Sequence, residues 1–204
     1  MGAPVKLFLA SSNPGKLAEF RTLVEEGEFS GQFTVETLPA YGSVPEFLEN
    51  YPTFAENAAG KALYYSQLQD GLIFADDSGL VVPALGGQPG VLSARYAGPN
   101  STNAERIAKL LKAMEGKSGA ERSAHFVCVI AIARQGRPLA VVSERVDGEL
   151  VGAPRGTGGF GYDPVFSPPA YGKTFAELSA AEKNRFSHRG KAFRRLLACI
   201  SSML

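Results

Sequence analysis

The stretch that decides the fold is Leu72-Ile73-Phe74-Ala75-Asp76-Asp77-Ser78-Gly79-Leu80, an apolar run followed directly by two carboxylates, a hydroxyl and a glycine. Residues 72–75 are typical of a buried strand, and the pattern predicts that this strand stops at Ala75. Open α/β sheets bind ligands at the carboxyl ends of such strands, so Asp76 and Asp77 lie where chemistry is expected. Adjacent carboxylates repel each other, and a divalent metal or a transferable proton relieves that repulsion. An ordinary Asp-Ser-Gly turn is the alternative.

Length, charge and composition restrict the kinds of protein and of binding partner that this chain suits. The chain has 204 residues, enough for one sizeable domain or a two-lobed one. Its 21 basic and 20 acidic side chains are spread along the sequence, which argues against a polymeric nucleic acid partner and leaves a small anionic substrate open. Cys128 and Cys199 lie in apolar segments, which indicates a reducing compartment and a cytoplasmic location. The longest apolar run, residues 126–133, is too short to span a bilayer, so no membrane partner is expected.

A second candidate site follows the first predicted strand, residues 5–10. Ser11 and Ser12 lead into a predicted helix that Asn13 caps. Lys16 falls in the first turn of this helix, where its charge opposes the helix dipole, so a bound phosphate would explain its position. A solvated surface lysine is the alternative.

A loop and another helix come next. Residues 39–52 show no periodicity and predict a loop, in which Glu49 could add a carboxylate to a metal site. Thr53 begins a helix through a capping box. Asn57 and Lys61 lie one turn apart and share a face, and their pattern alone favours a polar face in solvent.

The middle of the chain predicts a helix and a hairpin. A capping box at Thr102 opens the helix, and Met114 is expected in its core rather than at a cofactor. Residues 124–133 and 138–146 are rich in β-branched side chains and predict an antiparallel hairpin. Residues 147–148, Asp-Gly, predict a further turn.

The C-terminal third combines glycines, aromatic rings and cations. Residues 156–164 carry four glycines around two rings, an arrangement that lets backbone approach a ligand and offers a stacking surface. Lys183 lies on a short predicted helix, and His188 and Arg189 begin the last one, where they can bind anions or carbonyl oxygens. The alternatives are a flexible loop and a surface pair.

In this order, the segments resemble the inosine/xanthosine triphosphate pyrophosphatases, which remove non-standard purine nucleoside triphosphates from the nucleotide pool. The resemblance rests on residues 11–16, 53–57 with 61, 75–80, 93–96, 156–163, and 183 with 187–189. It implies one α/β domain over residues 1–204, with an elongated two-lobed mixed sheet flanked by helices and a nucleotide cleft between the lobes. It also implies a homodimer and Mg²⁺-dependent hydrolysis of ITP, dITP or XTP to the monophosphate and pyrophosphate.

The resemblance also implies residue roles, and they suit the chemistry. Hydrolysis at the α-phosphorus needs a cation on the phosphate oxygens, further positive charge and a base that orients water. Asp77 would be this base and would hold Mg²⁺ together with Glu49. Asp76 is a candidate for an additional metal ligand. The residues expected to bind substrate are Ser11, Ser12, Asn13, Lys16, Lys61, Ser78, Phe160, Gly161, Tyr162, Asp163, Lys183, His188 and Arg189. Within this set Lys16 and Lys61 would hold the triphosphate, Phe160 would stack on the base, and Lys183, His188 and Arg189 would line the base edge.

One position departs from the family pattern, and two other functions stay open. Tyr51 stands where such proteins usually carry glycine. A non-catalytic nucleotide sensor would keep the lysines and the stacking ring but would not need Asp77. A metal-dependent phosphatase of sugar or protein phosphates would not need the aromatic loop beside the cluster at the base edge.

Overall fold

Helices and strands alternate along most of the chain in the protein's structure, a computed structural model that describes residues 3–39 and 42–203. The helices and strands, in chain order, are β1 (Val5–Leu9), α1 (Pro14–Glu25), β2 (Phe33–Thr37), α2 (Phe54–Leu68), β3 (Leu72–Val81), α3 (Asn103–Ala113), β4 (Ser123–Arg134), β5 (Arg137–Leu150), β6 (Phe166–Ser167), α4 (Ala180–Phe186) and α5 (His188–Ser201). Short 3₁₀ helices cover Pro83–Leu85, Gly90–Arg95, Gly119–Arg122, Asp163–Val165 and Phe175–Glu177. None of the described helices combines the length and the apolar character that a bilayer crossing requires.

The strands form one six-stranded sheet in the order β2-β1-β3-β4-β5-β6. β1 pairs in parallel with β2 and with β3, and Leu9 at the end of β1 lies opposite Phe74 of β3. β6 pairs antiparallel with β5. A sheet that mixes both pairings and carries helices confirms the predicted mixed α/β class.

Two local predictions about strand ends were wrong. β3 does not stop at Ala75 but continues through Asp76 and Asp77 to Val81, so the alternative of an Asp-Ser-Gly turn is also wrong. The predicted turn at residues 147–148 lies inside β5. In both places the local composition favours a turn, and strand pairing within the sheet outweighs that preference.

The predicted hairpin and helix caps were confirmed, and so was the loop before α2 over its described residues. β4 and β5 are joined by Gln135 and Gly136 alone, the connection of a β-hairpin. Thr102 and Ser179 form complete capping boxes, and Thr53 accepts the backbone N–H of Glu56. Residues 40 and 41 of the predicted loop lie outside the described residues, and residues 42–52 form no helix or strand.

The chain divides into two compact units. Unit 1 comprises the described parts of residues 1–77, 128–144 and 189–204, and unit 2 comprises residues 78–127 and 145–188. In unit 1 the ring of Phe20 lies 5.1 Å from that of Phe74 and 4.7 Å from that of Phe193, at the centre of its apolar core. In unit 2 the ring of Phe126 packs against Phe166 at 4.7 Å, in a core that also buries Met114 as predicted. The extent of a single domain stays a prediction.

Candidate functional site

Asp76 is a fully buried carboxylate of unit 1 that two cations neutralise. β3 runs past the end of its neighbour β1, and this brings Asp76 beside the start of α1. Its Oδ1 lies 2.9 Å from Lys16 Nζ, and its Oδ2 lies 3.6 Å from Arg189 Nε. Burial alone would raise the pKa of Asp76, but the charges of Lys16 and Arg189 outweigh burial and lower this pKa to about 2. Asp76 is therefore ionised at any physiological pH.

The turn from β1 into α1 holds Lys16 in place. Asn13 Oδ1 accepts the backbone N–H groups of Gly15 at 2.9 Å and Lys16 at 3.3 Å, which confirms the predicted cap. Ser11 Oγ accepts the N–H of Asn13, whereas Ser12 is exposed. The Lys16 side chain is mostly buried against Asp76, so the alternative of a solvated lysine is wrong. An ammonium group has three donors, so this contact leaves capacity for a phosphate oxygen.

Arg189 belongs to the same charged cluster. Its guanidinium is buried and forms ion pairs with Glu19 of α1 and with Asp76. Sequence reasoning placed Arg189 at the base edge with Lys183, whereas its ion-pair partners here are these two carboxylates of unit 1. Glu19 was not singled out from the sequence, because a lone glutamate on an amphipathic helix is usually solvated and gives no signal.

Asp77 is the second carboxylate of β3, and its surroundings differ from those of Asp76. Asn57 Nδ2 donates a hydrogen bond of 2.9 Å to Asp77 Oδ2. Burial and the negative charge of Glu49 together raise the pKa of Asp77 to about 6. A carboxylate that exchanges its proton near neutrality is suited to general base catalysis.

Glu49 and Lys61 form an ion pair beside Asp77. Lys61 Nζ donates to Glu49 Oε1, and the Lys61 side chain is buried. Asn57 is also buried, so the polar solvent face predicted for these two residues of α2 was wrong. The sequence pattern could not show this, because polar residues on one helix face suit either solvent or buried carboxylates.

The carboxylates of Asp77 and Glu49 are oxygen donors of the kind that can hold a divalent cation. Mg²⁺ is usually held by one or two carboxylates together with waters and substrate phosphates, so a third protein ligand is not required. Within residues 3–39 and 42–203, no group of three or more His, Cys, Asp or Glu side chains is arranged to hold a metal. Burial and, after it, the charge of Glu49 raise the pKa of Asp77, and a divalent cation would relieve the repulsion between the two carboxylates.

Unit 2 holds a second cluster, centred on Asp163. Its Oδ2 accepts a hydrogen bond of 2.7 Å from Lys183 Nζ and one of 2.9 Å from the backbone N–H of Phe160. Lys183 Nζ lies 4.9 Å from the centre of the Phe160 ring, within range of a cation–π interaction. Gly159 has φ +68°, and a Cβ there would lie 2.0 Å from Asp163 Oδ2, so this turn requires glycine.

Tyr162 and His188 are packed into unit 2. The Tyr162 hydroxyl donates to the carbonyl of Ser93 at 3.0 Å, and the ring is buried, so its contacts are those of a core residue. The buried His188 ring stacks on Phe126, with centroids 4.6 Å apart and planes 7° apart. In the glycine-rich loop Phe160 is therefore partly buried, whereas Tyr162 is buried.

The structure groups the predicted site residues into two sets. The set in unit 1 comprises Ser11, Asn13, Lys16, Glu49, Lys61, Asp76, Asp77 and Arg189, with Ser12 exposed nearby in sequence. The set in unit 2 comprises Phe160, Tyr162, Asp163, Lys183 and His188, with Gly161 partly buried in the same loop and Ser78 partly buried on β3. Glu19 and Asn57 join the first set as residues that sequence reasoning did not place in the site.

Comparison with known proteins gives consistent matches over nearly the whole chain. The sequence pattern of the Ham1 family matches residues 7–199. A protein of Geobacillus kaustophilus named dITP/XTP pyrophosphatase is 48% identical over 191 residues, covering 94% of this chain and 92% of the relative. A dITP/XTP pyrophosphatase of Gloeobacter violaceus is 48% identical over 194 residues, with 94% and 92% covered. The solved structure of a HAM1 protein from Coxiella burnetii superimposes with a TM-score of 0.84 at 41% identity, covering 97% of this chain and 99% of that one.

Proposed function

The chain belongs to the Ham1 family, and from this membership we propose that it hydrolyses ITP, dITP and XTP to the monophosphate and pyrophosphate. This activity removes non-standard purine nucleotides from the nucleotide pool. The observation that carries the proposal is the pair of carboxylates on β3. Asp76 stays ionised between two cations, while the pKa of Asp77 lies close to neutrality.

The first cluster supports a role in binding and cleaving the triphosphate. Lys16 and Lys61 would donate to phosphate oxygens, and each is already held in place by a carboxylate, Asp76 and Glu49 respectively. Asp77 would accept the proton of the water that attacks the α-phosphorus. Fixed cations in a mostly buried cluster stabilise the charge that develops on the phosphate without reorganising during the reaction.

We propose Mg²⁺ as the cofactor, held by Asp77 and Glu49. When bound, it would neutralise charge on the phosphate oxygens and so favour attack at phosphorus. The protein's own part is to keep the two carboxylates close together, which the ion pair of Glu49 with Lys61 and the hydrogen bond from Asn57 to Asp77 both support.

The second cluster supports a role in binding the base. Phe160 would stack on the purine, and Lys183, which Asp163 fixes, would donate to the carbonyl oxygen at position 6 of hypoxanthine or xanthine. The His188 ring, held by its stacking on Phe126, is a further candidate for the base edge. For Arg189 the ion pairs with Glu19 and Asp76 support a role in fixing Asp76.

The assembly and the location are also proposals. A homodimer is proposed from the resemblance to the pyrophosphatase family. A cytoplasmic location is proposed because Cys128 and Cys199 are both free thiols, and Cys128 is buried.

A product assay tests the proposed function directly. The purified protein is incubated with ITP, dITP and XTP, with Mg²⁺ or with a chelator, and pyrophosphate and phosphate are measured separately. We expect equal amounts of monophosphate and pyrophosphate, and none with the chelator. Binding of ITP without turnover would indicate a nucleotide sensor instead. Release of phosphate from sugar or protein phosphates would indicate a general phosphatase.

A further inference from the structure

The side chain of Asn57 is fully buried and joins two separate segments of unit 1. Its Oδ1 accepts the backbone N–H of Tyr51 at 3.0 Å, and its Nδ2 donates to the Tyr51 carbonyl at 3.2 Å. The same Nδ2 donates to Asp77 Oδ2 at 2.9 Å. An asparagine amide has two N–H donors and one oxygen, so these three bonds use both donors and engage the acceptor.

These bonds connect the two candidate metal ligands. Tyr51 lies two residues after Glu49, so holding both its N–H and its carbonyl restricts where the Glu49 carboxylate can reach. The second N–H of the Asn57 amide holds the Asp77 carboxylate. A carboxylate that accepts a hydrogen bond from a buried amide is oriented by it, and partners of this kind matter nearly as much as the ligands they orient.

Other contacts also attach the segment around Glu49 to α2, and among them the ion pair with Lys61 holds the Glu49 carboxylate directly. Tyr64 donates to the carbonyl of Pro45, and the ring of Phe47 lies over Gly60, where an added Cβ would come within 2.6 Å of its Cζ. Both contacts hold the start of the segment against α2, ahead of Glu49. Tyr51 is not among the residues with positive φ, so the departure from glycine at this position brings no backbone strain, and its main chain is free to pair with Asn57.

We propose that Asn57 is a positioning residue that holds Asp77 and the Glu49 segment at the separation needed to bind a divalent cation. The inference rests on the proposed function and adds a residue to it. In this role Asn57 acts through Tyr51 and Asp77 and not directly on the substrate or the cation. A packing role alone would need no polar atoms at this position, because burying an amide is costly unless its hydrogen bonds are made.

Two substitutions separate the hydrogen bonds from the packing. Asn57→Leu keeps the branched shape and removes all donors and acceptors, and Asn57→Ala removes the amide and leaves a small cavity. Ser66→Ala is the matched control, because Ser66 is also buried on α2, but its hydroxyl accepts the N–H of Gly136 at 3.0 Å and donates to the carbonyl of Leu63 at 2.9 Å.

The readouts are Mn²⁺ binding to the nucleotide-free protein by electron paramagnetic resonance, the Mg²⁺ concentration that gives half-maximal ITP hydrolysis, and hydrogen exchange at the Tyr51 amide. For both Asn57 variants we expect Mn²⁺ affinity to fall about ten- to a hundred-fold. The Mg²⁺ requirement should rise in parallel, and the Tyr51 amide should exchange faster. Ser66→Ala should change none of these readouts, although it lowers the melting temperature.

Several results would overturn the inference. Native Mn²⁺ affinity in Asn57→Leu would show that only the shape of the side chain matters, and an equal loss in Ser66→Ala would show a general effect of destabilisation. Absence of Mn²⁺ binding by the native protein would also contradict it. The binding and exchange measurements need no turnover, so a failure of the proposed function, seen as inactive native protein, is distinguished from a failure of this inference.

Discussion

Asp76 and Asp77 are adjacent on β3, and their surroundings move their pKa values in opposite directions, to about 2 and to about 6. Successive side chains of a strand point to opposite faces of the sheet, so the two carboxylates meet different neighbours. Asp76 meets Lys16 and Arg189, whereas Asp77 meets Asn57 and the charge of Glu49. Two neighbouring acids thus acquire two roles, one as a permanent anion that fixes cations and one as a group that can take up a proton.

Asp77→Asn should remove activity and raise stability at neutral pH. The native pKa of Asp77 lies above its ordinary value of 3.8, so the folded state binds a proton more tightly than the unfolded state does. Stability is therefore lost as the pH rises from about 4 to about 6, and the neutral asparagine avoids this loss. The shift corresponds to roughly 3 kcal/mol at most. Urea denaturation with a chelator at pH 7.5 and at pH 4, alongside the product assay, measures both effects.

Two outcomes would contradict this expectation. Near-native hydrolysis of ITP by Asp77→Asn would remove Asp77 from the role of base and principal metal ligand. A stability difference that persists unchanged at pH 4 would show that it does not arise from ionisation of Asp77.

Asp76→Asn should instead destabilise the protein. It leaves Lys16 and Arg189 in a buried cluster without their shared anion, and breaking such a buried pair costs about 3–5 kcal/mol. The pKa of Asp76 is lowered, so its contribution is present above pH 3.8 and is lost only as the pH falls towards 2. Urea denaturation at pH 7 measures the change.

A surface ion pair supplies the control for Asp76→Asn. Glu36 lies 3.0 Å from Lys6, and their side chains are 41% and 61% exposed. Glu36→Gln should cost no more than about 1 kcal/mol, because water screens such pairs. Equal effects of the two substitutions would show that Asp76 is not the anion that holds the cluster together.

Local signals in the sequence predicted much of this fold. The effect of a capping residue depends only on the next three residues of the chain. Each predicted cap begins a helix as expected, at Asn13, Thr102 and Ser179. The end of β3 could not be predicted in this way. Its continuation depends on pairing within the sheet, and the cations that neutralise the buried Asp76, Lys16 and Arg189, lie far away in sequence, so no local pattern predicts it.

The candidate site was predictable where residue type restricts the chemistry. Paired carboxylates and a lysine at a helix start made Asp76, Asp77 and Lys16 candidates, with a turn and a solvated lysine as the alternatives. Asn57 was not placed in the site, because its role depends on contacts with Tyr51 and Asp77 across 6 and 20 residues of sequence.

Lys16→Ala and Lys61→Ala should impair catalysis more than folding. Each removes a cation proposed to hold the triphosphate, so KM should rise or kcat should fall. Lys6→Ala is the control, because Lys6 is largely exposed and forms a surface ion pair with Glu36. Steady-state kinetics on ITP, with melting temperatures of all three variants, would test this. Unchanged kinetics with lowered stability would show that Lys16 and Lys61 only neutralise Asp76 and Glu49.

The protein should sediment as a homodimer. The chain has a mass of 21.6 kDa, so we expect a species of about twice that mass at micromolar concentration. Analytical ultracentrifugation over a range of concentrations would show this directly, and a species of 21.6 kDa throughout would contradict the expectation.

Base selectivity should follow from the donor that Lys183 presents. Hypoxanthine and xanthine carry a carbonyl oxygen at position 6, whereas adenine carries an amino group there. The Lys183 ammonium is buried and fixed by Asp163, so it can donate to the carbonyl but would face another donor in adenine. A buried donor without a partner costs about 1–3 kcal/mol, which corresponds to roughly ten- to a hundred-fold discrimination or more for a charged group.

ATP should therefore be a poor substrate of the native protein, and Lys183→Met should reduce the preference for ITP over ATP by about ten-fold or more. The methionine keeps the length of the side chain and removes its charge and donors. Lys173→Met is the control, because Lys173 is exposed.

Competition kinetics with ITP, XTP, GTP and ATP give the ratios of kcat/KM. Equal ratios for all four in the native protein would refute base selectivity, and an unchanged ratio of ITP to ATP in Lys183→Met would exclude Lys183 as its source. Guanine shares the carbonyl at position 6, so any rejection of GTP that survives in Lys183→Met must come from a second element that meets the amino group at position 2.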